Sequence, residues 1–183
     1  MNLAESYGVR IEPVITNGAC WRAVEVRHLT PTQNRGKHNL FVDVVDAQGR
    51  RVFDDRLRIA WYAYEGDTTA DFTPLDKPDT PLELGDGNVD LYVNQTLTAF
   101  ITGDGIPSDK VAGIHTRHAD EPGPNGENWN SIGHHSFYVK FQRSTGGNKP
   151  TDPVDPPPTA PTLADHERRL RKIEALLNSW DGD

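Results

Sequence analysis

Sulfur is scarce in this chain, with one cysteine and one methionine among 183 residues. A lone Cys20 cannot close an intrachain disulfide, which excludes a disulfide-built scaffold. Beside a strand pattern it reads as a small buried side chain. No apolar run is long enough to cross a bilayer as a helix, so no membrane insertion is expected. Positive charge is also in deficit: 19 Lys and Arg stand against 27 Asp and Glu, for a net charge of -8. A phosphate-binding partner needs a basic face, so nucleic acid is excluded as the main partner. Catalytic signatures are missing as well. There is no His-Glu-x-x-His, no Gly-x-Ser-x-Gly elbow, no phosphate loop and no Cys–His nucleophile pair. The chain therefore reads as a non-enzyme without cofactor or metal.

What the sequence has in abundance is period-two alternation, the mark of half-buried strands. Val24, Val26 and His28 alternate with polar residues, as do Leu40, Val42 and Val44. Leu57, Ile59, Trp61 and Ala63 follow, then Val89, Leu91 and Val93, then Leu97, Ala99 and Ile101. His135, Phe137, Val139 and Phe141 close the series, while Val9 with Ile11 and the stretch 111–116 suggest two more strands. Turn signals at Asn34-Arg35-Gly36, Asp46-Ala47-Gln48-Gly49, Gly85-Asp86-Gly87 and Gly103-Asp104-Gly105 separate them. About seven or eight short strands without helical patterning predict an all-β head, a β-sandwich of Ig-like or jelly-roll type.

The organisation is an N-terminal arm over 1–18, the sandwich over 19–143, a Pro-rich linker over 144–161 and a heptad helix over 162–180. The linker carries Gly146-Gly147 and prolines at 150, 153, 156, 157, 158 and 161. Such a segment favours polyproline II, and about 15 residues at ~3.1 Å each span roughly 45 Å. In the helix, Leu163, His166, Leu170, Ile173, Leu177 and Trp180 are spaced three, four, three, four, three. Leu163, Leu170 and Leu177 take heptad position a; His166, Ile173 and Trp180 take d. Arg169 at g precedes Glu174 at e by five residues, the spacing of an interchain ion pair. Leucine at a with isoleucine at d disfavours dimers and shifts the preference to trimers or tetramers, so a homo-oligomeric coiled coil is expected, with the trimer favoured. So short a helix is marginal alone and needs partners.

Two loops are long: 65–86, acidic and proline-bearing, and 118–133. Long loops on a rigid scaffold are where binding usually resides. Trp129 lies in the second among Asn125, Asn128 and Asn130, and a flat aromatic face flanked by amides suits a sugar. These residues are the predicted ligand-binding set. The late histidines His115, His118, His134 and His135 raise the thought of zinc. Neighbours 134 and 135 on a strand point to opposite faces, however, so both cannot serve one ion. Asp86-Gly87-Asn88-Val89-Asp90 starts like a calcium loop and then fails, because Leu91 stands where glycine is needed and Leu97 where glutamate is needed.

Four stretches carry a resemblance. They are Asn34-Arg35-Gly36-Lys37-His38-Asn39, Leu75-Asp76-Lys77-Pro78, Ser108 through Thr116 (with Asp109, Val111, Gly113 and His115) and Gly133-His134-His135-Ser136-Phe137-Tyr138 through Arg143. Together they resemble a β-sandwich module appended to bacterial lysozyme-like and amidase-type cell-wall hydrolases, over roughly residues 19 to 143. The resemblance implies a sandwich fold and an accessory, non-catalytic role, with no catalytic residues to carry over. It does not imply a ligand.

The start Met1-Asn2-Leu3-Ala4-Glu5-Ser6-Tyr7 has neither a basic opening nor an apolar stretch, so no signal peptide is predicted. Cytoplasmic synthesis followed by assembly onto a virion surface fits this plan. The function expected is multimeric display or attachment: a capsid decoration or fibre component whose sandwich binds a cell surface or glycan, anchored to a capsid or scaffold protein. The alternatives are an accessory subunit docked through its C-terminal helix onto a separate cell-wall hydrolase or scaffold, and a metal-dependent hydrolase using the late histidines.

Overall fold

A computed structural model describes residues 1–77, 80 and 85–145. The linker from 146 onward and the heptad helix, with Leu163, His166, Arg169, Leu170, Ile173, Glu174, Leu177 and Trp180, lie outside the described residues. Within them the chain is mostly β, in two sheets, with almost no helix. The strands are β1 (Arg10–Glu12), β2 (Cys20–His28), β3 (Asn39–Val45), β4 (Arg58–Tyr62), β5 (Asp71–Pro74), β6 (Gly87–Asp90), β7 (Leu97–Thr102), β8 (Lys110–Ile114) and β9 (Phe137–Ser144). One sheet runs β1-β8-β7-β4-β5 and the other β2-β9-β3-β6. All neighbours are antiparallel except β3 and β9, which run parallel from Leu40 opposite Phe137 to Val45 opposite Gln142.

The alternating apolar positions meet in one core. Ile59, Leu97, Ala99, Ile101 and Val111 come from the first sheet. Trp21, Val26, Leu40, Val42, Val44, Phe137, Val139 and Phe141 come from the second. Each fully buried aliphatic or aromatic side chain of this kind contributes about 1.5–3 kcal/mol. Residues 1–18 join the same core: Ala4 and Val9 are buried, and β1 pairs with β8.

Four local features depart from the simple alternation. In β2 the register shifts between Ala23 and Glu25. The bulge puts Trp21 and Ala23 inside on one phase and Val26 on the other, with Val24 only half-buried. The turn at Asn34-Arg35-Gly36 is preceded by a one-turn helix, α1 (Pro31–Asn34). Thr30 and Gln33 form its capping box, and Pro31 sits in the first turn, where a missing N–H costs nothing. The stretch 65–86 holds β5, paired with β4 from Arg58–Pro74 to Trp61–Asp71. Finally, the Val89-Leu91-Val93 alternation ends early: β6 stops at Asp90, and Val93 is 48% exposed in the turn that follows.

The outward face of β3 is covered rather than solvated. Asp43 is buried there, accepting from Tyr138 Oη at 2.8 Å and from Arg51 Nη2 at 2.7 Å. Asp86 is paired with the same guanidinium and accepts from the Val44 N–H at 3.2 Å. Asp86 thus anchors the entry to β6, in place of the calcium role its sequence mimics. No helix among the described residues is long and apolar enough to cross a membrane.

Candidate functional site

The loop from 118 to 134 is built by buried polar side chains. It leaves β8, returns to β9, and is closed on itself by the bridge between Glu121 and Asn130, whose backbones bond at 2.7 Å. Asn130 is fully buried. Its amide nitrogen donates to the Leu29 carbonyl at 2.9 Å and to Glu121 Oε2 at 3.1 Å. Asn34, at the end of α1, donates to Asn130 Oδ1 at 2.9 Å, to the Trp129 carbonyl at 3.3 Å and to the His134 carbonyl. Two asparagines therefore bind the loop to the end of β2 and to α1.

The four residues expected to bind ligand are divided by this arrangement. Asn125 and Asn128 are exposed, and Asn125 is held by Glu127, with its amide nitrogen 2.9 Å from Oε1. Trp129 is half-buried, its ring edge over Gly36, where an added Cβ would sit 3.8 Å from Cδ1. Asn130 faces inward as a brace and shares no surface with Asn125 and Asn128.

A different set of side chains carries the exposed apolar area at this part of the molecule. Tyr64 is 46% exposed, Tyr92 56%, Val93 48% and Ile132 62%. Tyr92 and Val93 belong to the turn 92–95, and Ile132 directly precedes Gly133, against which Val93 packs. Asn94 donates its amide to Tyr64 Oη at 3.1 Å. The Tyr92 ring lies 5.9 Å from that of His38, which lies 6.2 Å from that of His134. Val93 packs against Gly133, where an added Cβ would come within 2.9 Å of Cγ2, and the φ of +88° there also favours glycine. Arg117 clamps the turn from below through the carbonyls of Val93 (3.1 Å) and Gln95 (3.0 Å) and through Thr96 Oγ1 (2.7 Å). The result is two tyrosines, two aliphatic side chains, an amide and an imidazole on a clamped turn. Reading Val93 as an inward strand residue hid this surface; Asn94-Gln95, a poor strand pair, was the available signal.

At the foot of the same loop lies a compact aromatic and polar cluster. The β2–β9 register sets His28 opposite Phe137, which brings His135 beside His28. His28 Nε2 and His135 Nδ1 are 2.8 Å apart. Tyr7 stacks on His28 with centroids 3.8 Å apart and donates its hydroxyl to Glu121 Oε1 at 2.6 Å. Glu121 Oε2 is 3.8 Å from His28 Nδ1. His118 stacks on His115 at 4.2 Å and stands 5.2 Å from His135, centroid to centroid. His134 and His135 do diverge: the first is exposed and the second fully buried.

Burial, with the neighbouring imidazoles adding to it, pushes His28 down to about 4 despite the opposing pull of Glu121. Burial likewise lowers His118 to about 4, and it lowers His135 and His115. Burial and the bond to Glu121 raise Tyr7 to about 12. Burial alone would raise Glu121, but hydrogen bonds from Tyr7 and Asn130 outweigh it and hold the carboxyl below its ordinary value. At neutral pH the cluster is a set of uncharged imidazoles facing one carboxylate. Nε2 of both His118 and His135 is buried with no hydrogen-bond partner. Of these residues, only the late histidines stood out in the sequence. His28, Glu121 and Tyr7 come from the end of a strand, a loop and a 3-10 turn, and no spacing rule joins them.

Comparison with protein-family models, with curated proteins and with solved structures returns no match.

Proposed function

We propose that the chain is a non-catalytic attachment protein. A β-sandwich head binds a cell-surface glycan, and the coiled-coil helix over 162–180 presents that head in several copies. The plan suits a structural component of a phage particle, either a capsid decoration or a fibre. The observation that carries the reading is the exposed group Tyr64, Tyr92, Val93 and Ile132 around the clamped turn 92–95. Flat rings offer stacking area to a sugar, while Asn94 and His134 offer hydrogen bonds to its hydroxyls; apolar platforms with a few placed polar groups are how such ligands are held. Because Arg117 holds the turn through its backbone, little ordering is left for binding to impose. Trp129, Asn125 and Asn128 extend the contact along the neighbouring loop. A single open surface of this kind binds weakly, and repetition supplies the avidity.

Calorimetric titration of the full chain with soluble bacterial wall polysaccharide tests the assignment. Binding heat that disappears in Tyr92→Ala, at an unchanged melting temperature, supports it. Equal heat from that variant removes the turn from the binding site.

A further inference from the structure

We propose that His28, His135 and Glu121 form a site for one divalent transition-metal ion of the zinc class, with the neighbouring His118 as a fourth ligand. One donor atom from each of the three lies within 4.8 Å of the other two. Zinc bonds of about 2.0–2.1 Å place tetrahedral donors about 3.3 Å apart. The 2.8 Å between His28 Nε2 and His135 Nδ1 is shorter than that, and the longest separation is greater. Loading the site therefore requires the two imidazoles to part and Glu121, whose Oε2 stands 3.8 Å from His28 Nδ1, to turn towards Nε2.

Two observations favour a ligand over a self-contained hydrogen-bond network. First, His118 Nε2, on the ring 5.2 Å from that of His135, is buried without a hydrogen-bond partner. Buried polar atoms in folded proteins are normally satisfied, and a bound ion is one of the few explanations for such an exception. Second, the surroundings match a metal's outer sphere. Tyr7 and Asn130 bond the two oxygens of Glu121, at 2.6 and 3.1 Å, and hold the carboxylate towards the imidazoles. The Tyr7 ring stacks on His28 from one side, and Phe137 lies edge-on at 5.2 Å. Mixed imidazole and carboxylate donors select zinc and its neighbours over calcium or magnesium, which take oxygen. An ion here ties the foot of the loop 118–134 to the end of β2, so its role is to fix the loop.

The test uses untagged full-length protein, stripped with chelator and then titrated with zinc. The expected result is one zinc per chain and a raised melting temperature. Cobalt substitution should give the intense visible absorption of a tetrahedral site. Glu121→Gln and His28→Gln should each weaken zinc binding about 100-fold or more, while His134→Gln, an exposed neighbour outside the site, should bind as the parent does. Should His28→Gln fail to fold, Glu121→Gln and the parental cobalt spectrum decide. No retained zinc, a weak octahedral cobalt spectrum, or undiminished binding in Glu121→Gln each overturns the proposal. Undiminished binding would move the ion to another histidine, such as His166 in the tail. None of these readouts involves a glycan, so they stand or fall apart from the attachment reading.

Discussion

The side-chain amide of Asn34 donates to Oδ1 of Asn130 across 2.9 Å, joining α1 to a loop 96 positions away. Both residues are fully buried, and Asn130 passes the connection on to the Leu29 carbonyl and to Glu121. Removing it strands several polar groups at once. Asn130→Ala is expected to destabilise the head by about 3 kcal/mol, given about 1–3 kcal/mol for each buried group left unsatisfied. Urea unfolding monitored by tryptophan fluorescence checks this. A change under about 0.5 kcal/mol, the range of an ordinary surface substitution, would mean that the loop is held by something else.

Trp129 and Tyr92 should separate stability from binding. Trp129 is half-buried over Gly36, so Trp129→Ala should cost about 1 kcal/mol, part of the value of a full burial. Tyr92 is 56% exposed. Tyr92→Ala should therefore shift stability by less than about 0.5 kcal/mol and act on glycan affinity instead. Melting curves and polysaccharide titrations of the two variants, run side by side, resolve the contrast.

Asp86 gives a pH dependence of defined sign. Burial pushes its carboxyl from 3.8 up to about 6, with Asp43 adding to the rise and the Val44 N–H and Arg51 opposing it. A carboxyl raised in the folded state binds more protons there than in the unfolded chain between those two values. Its contribution is fully present below 3.8 and is lost as the pH rises through about 6. The buried histidines, lowered in the folded state, act in the opposite sense over an overlapping range, so a difference measurement is needed. The stability of the parent minus that of Asp86→Asn should fall between pH 4 and pH 7. A flat or rising difference would contradict the shift. By the same geometry, Arg51→Met should cost about 3–5 kcal/mol, since it leaves Asp43 and Asp86 buried against each other.

The heptad over 162–180 predicts a concentration-stable trimer for the full chain and a monomer for a version ending at Ser144, measured by light scattering after size exclusion. Two monomers would assign the helix to a different partner protein.

Alternation alone located most strands, because a half-buried strand writes its inner face at every second position. Leu40, Val42 and Val44 are all fully buried in β3. Alternation breaks where a local event shifts the phase. The bulge after Ala23 moved Val24 out of the inward row, and the turn after Asp90 carried Tyr92 and Val93 to the surface. The β5 strand, Asp71-Phe72-Thr73-Pro74, was not legible because its exposed edge carries little apolar signal. The cluster of Tyr7, His28, His118, Glu121 and His135 depends on strand register and on the Glu121–Asn130 bridge. Both are long-range pairings that leave no trace in local composition. Trp129 drew notice because it is a tryptophan in a polar loop, and that says nothing about which way its ring is turned.

Co-sedimentation with purified bacterial cell walls tests the attachment reading most directly, comparing the full chain with a Tyr64→Ala and Tyr92→Ala double variant. The account predicts saturable pelleting of the parent, competed by soluble wall polysaccharide, and a double variant that stays in the supernatant with its melting temperature unchanged. A parent that never pellets, or a double variant that pellets equally well, contradicts it.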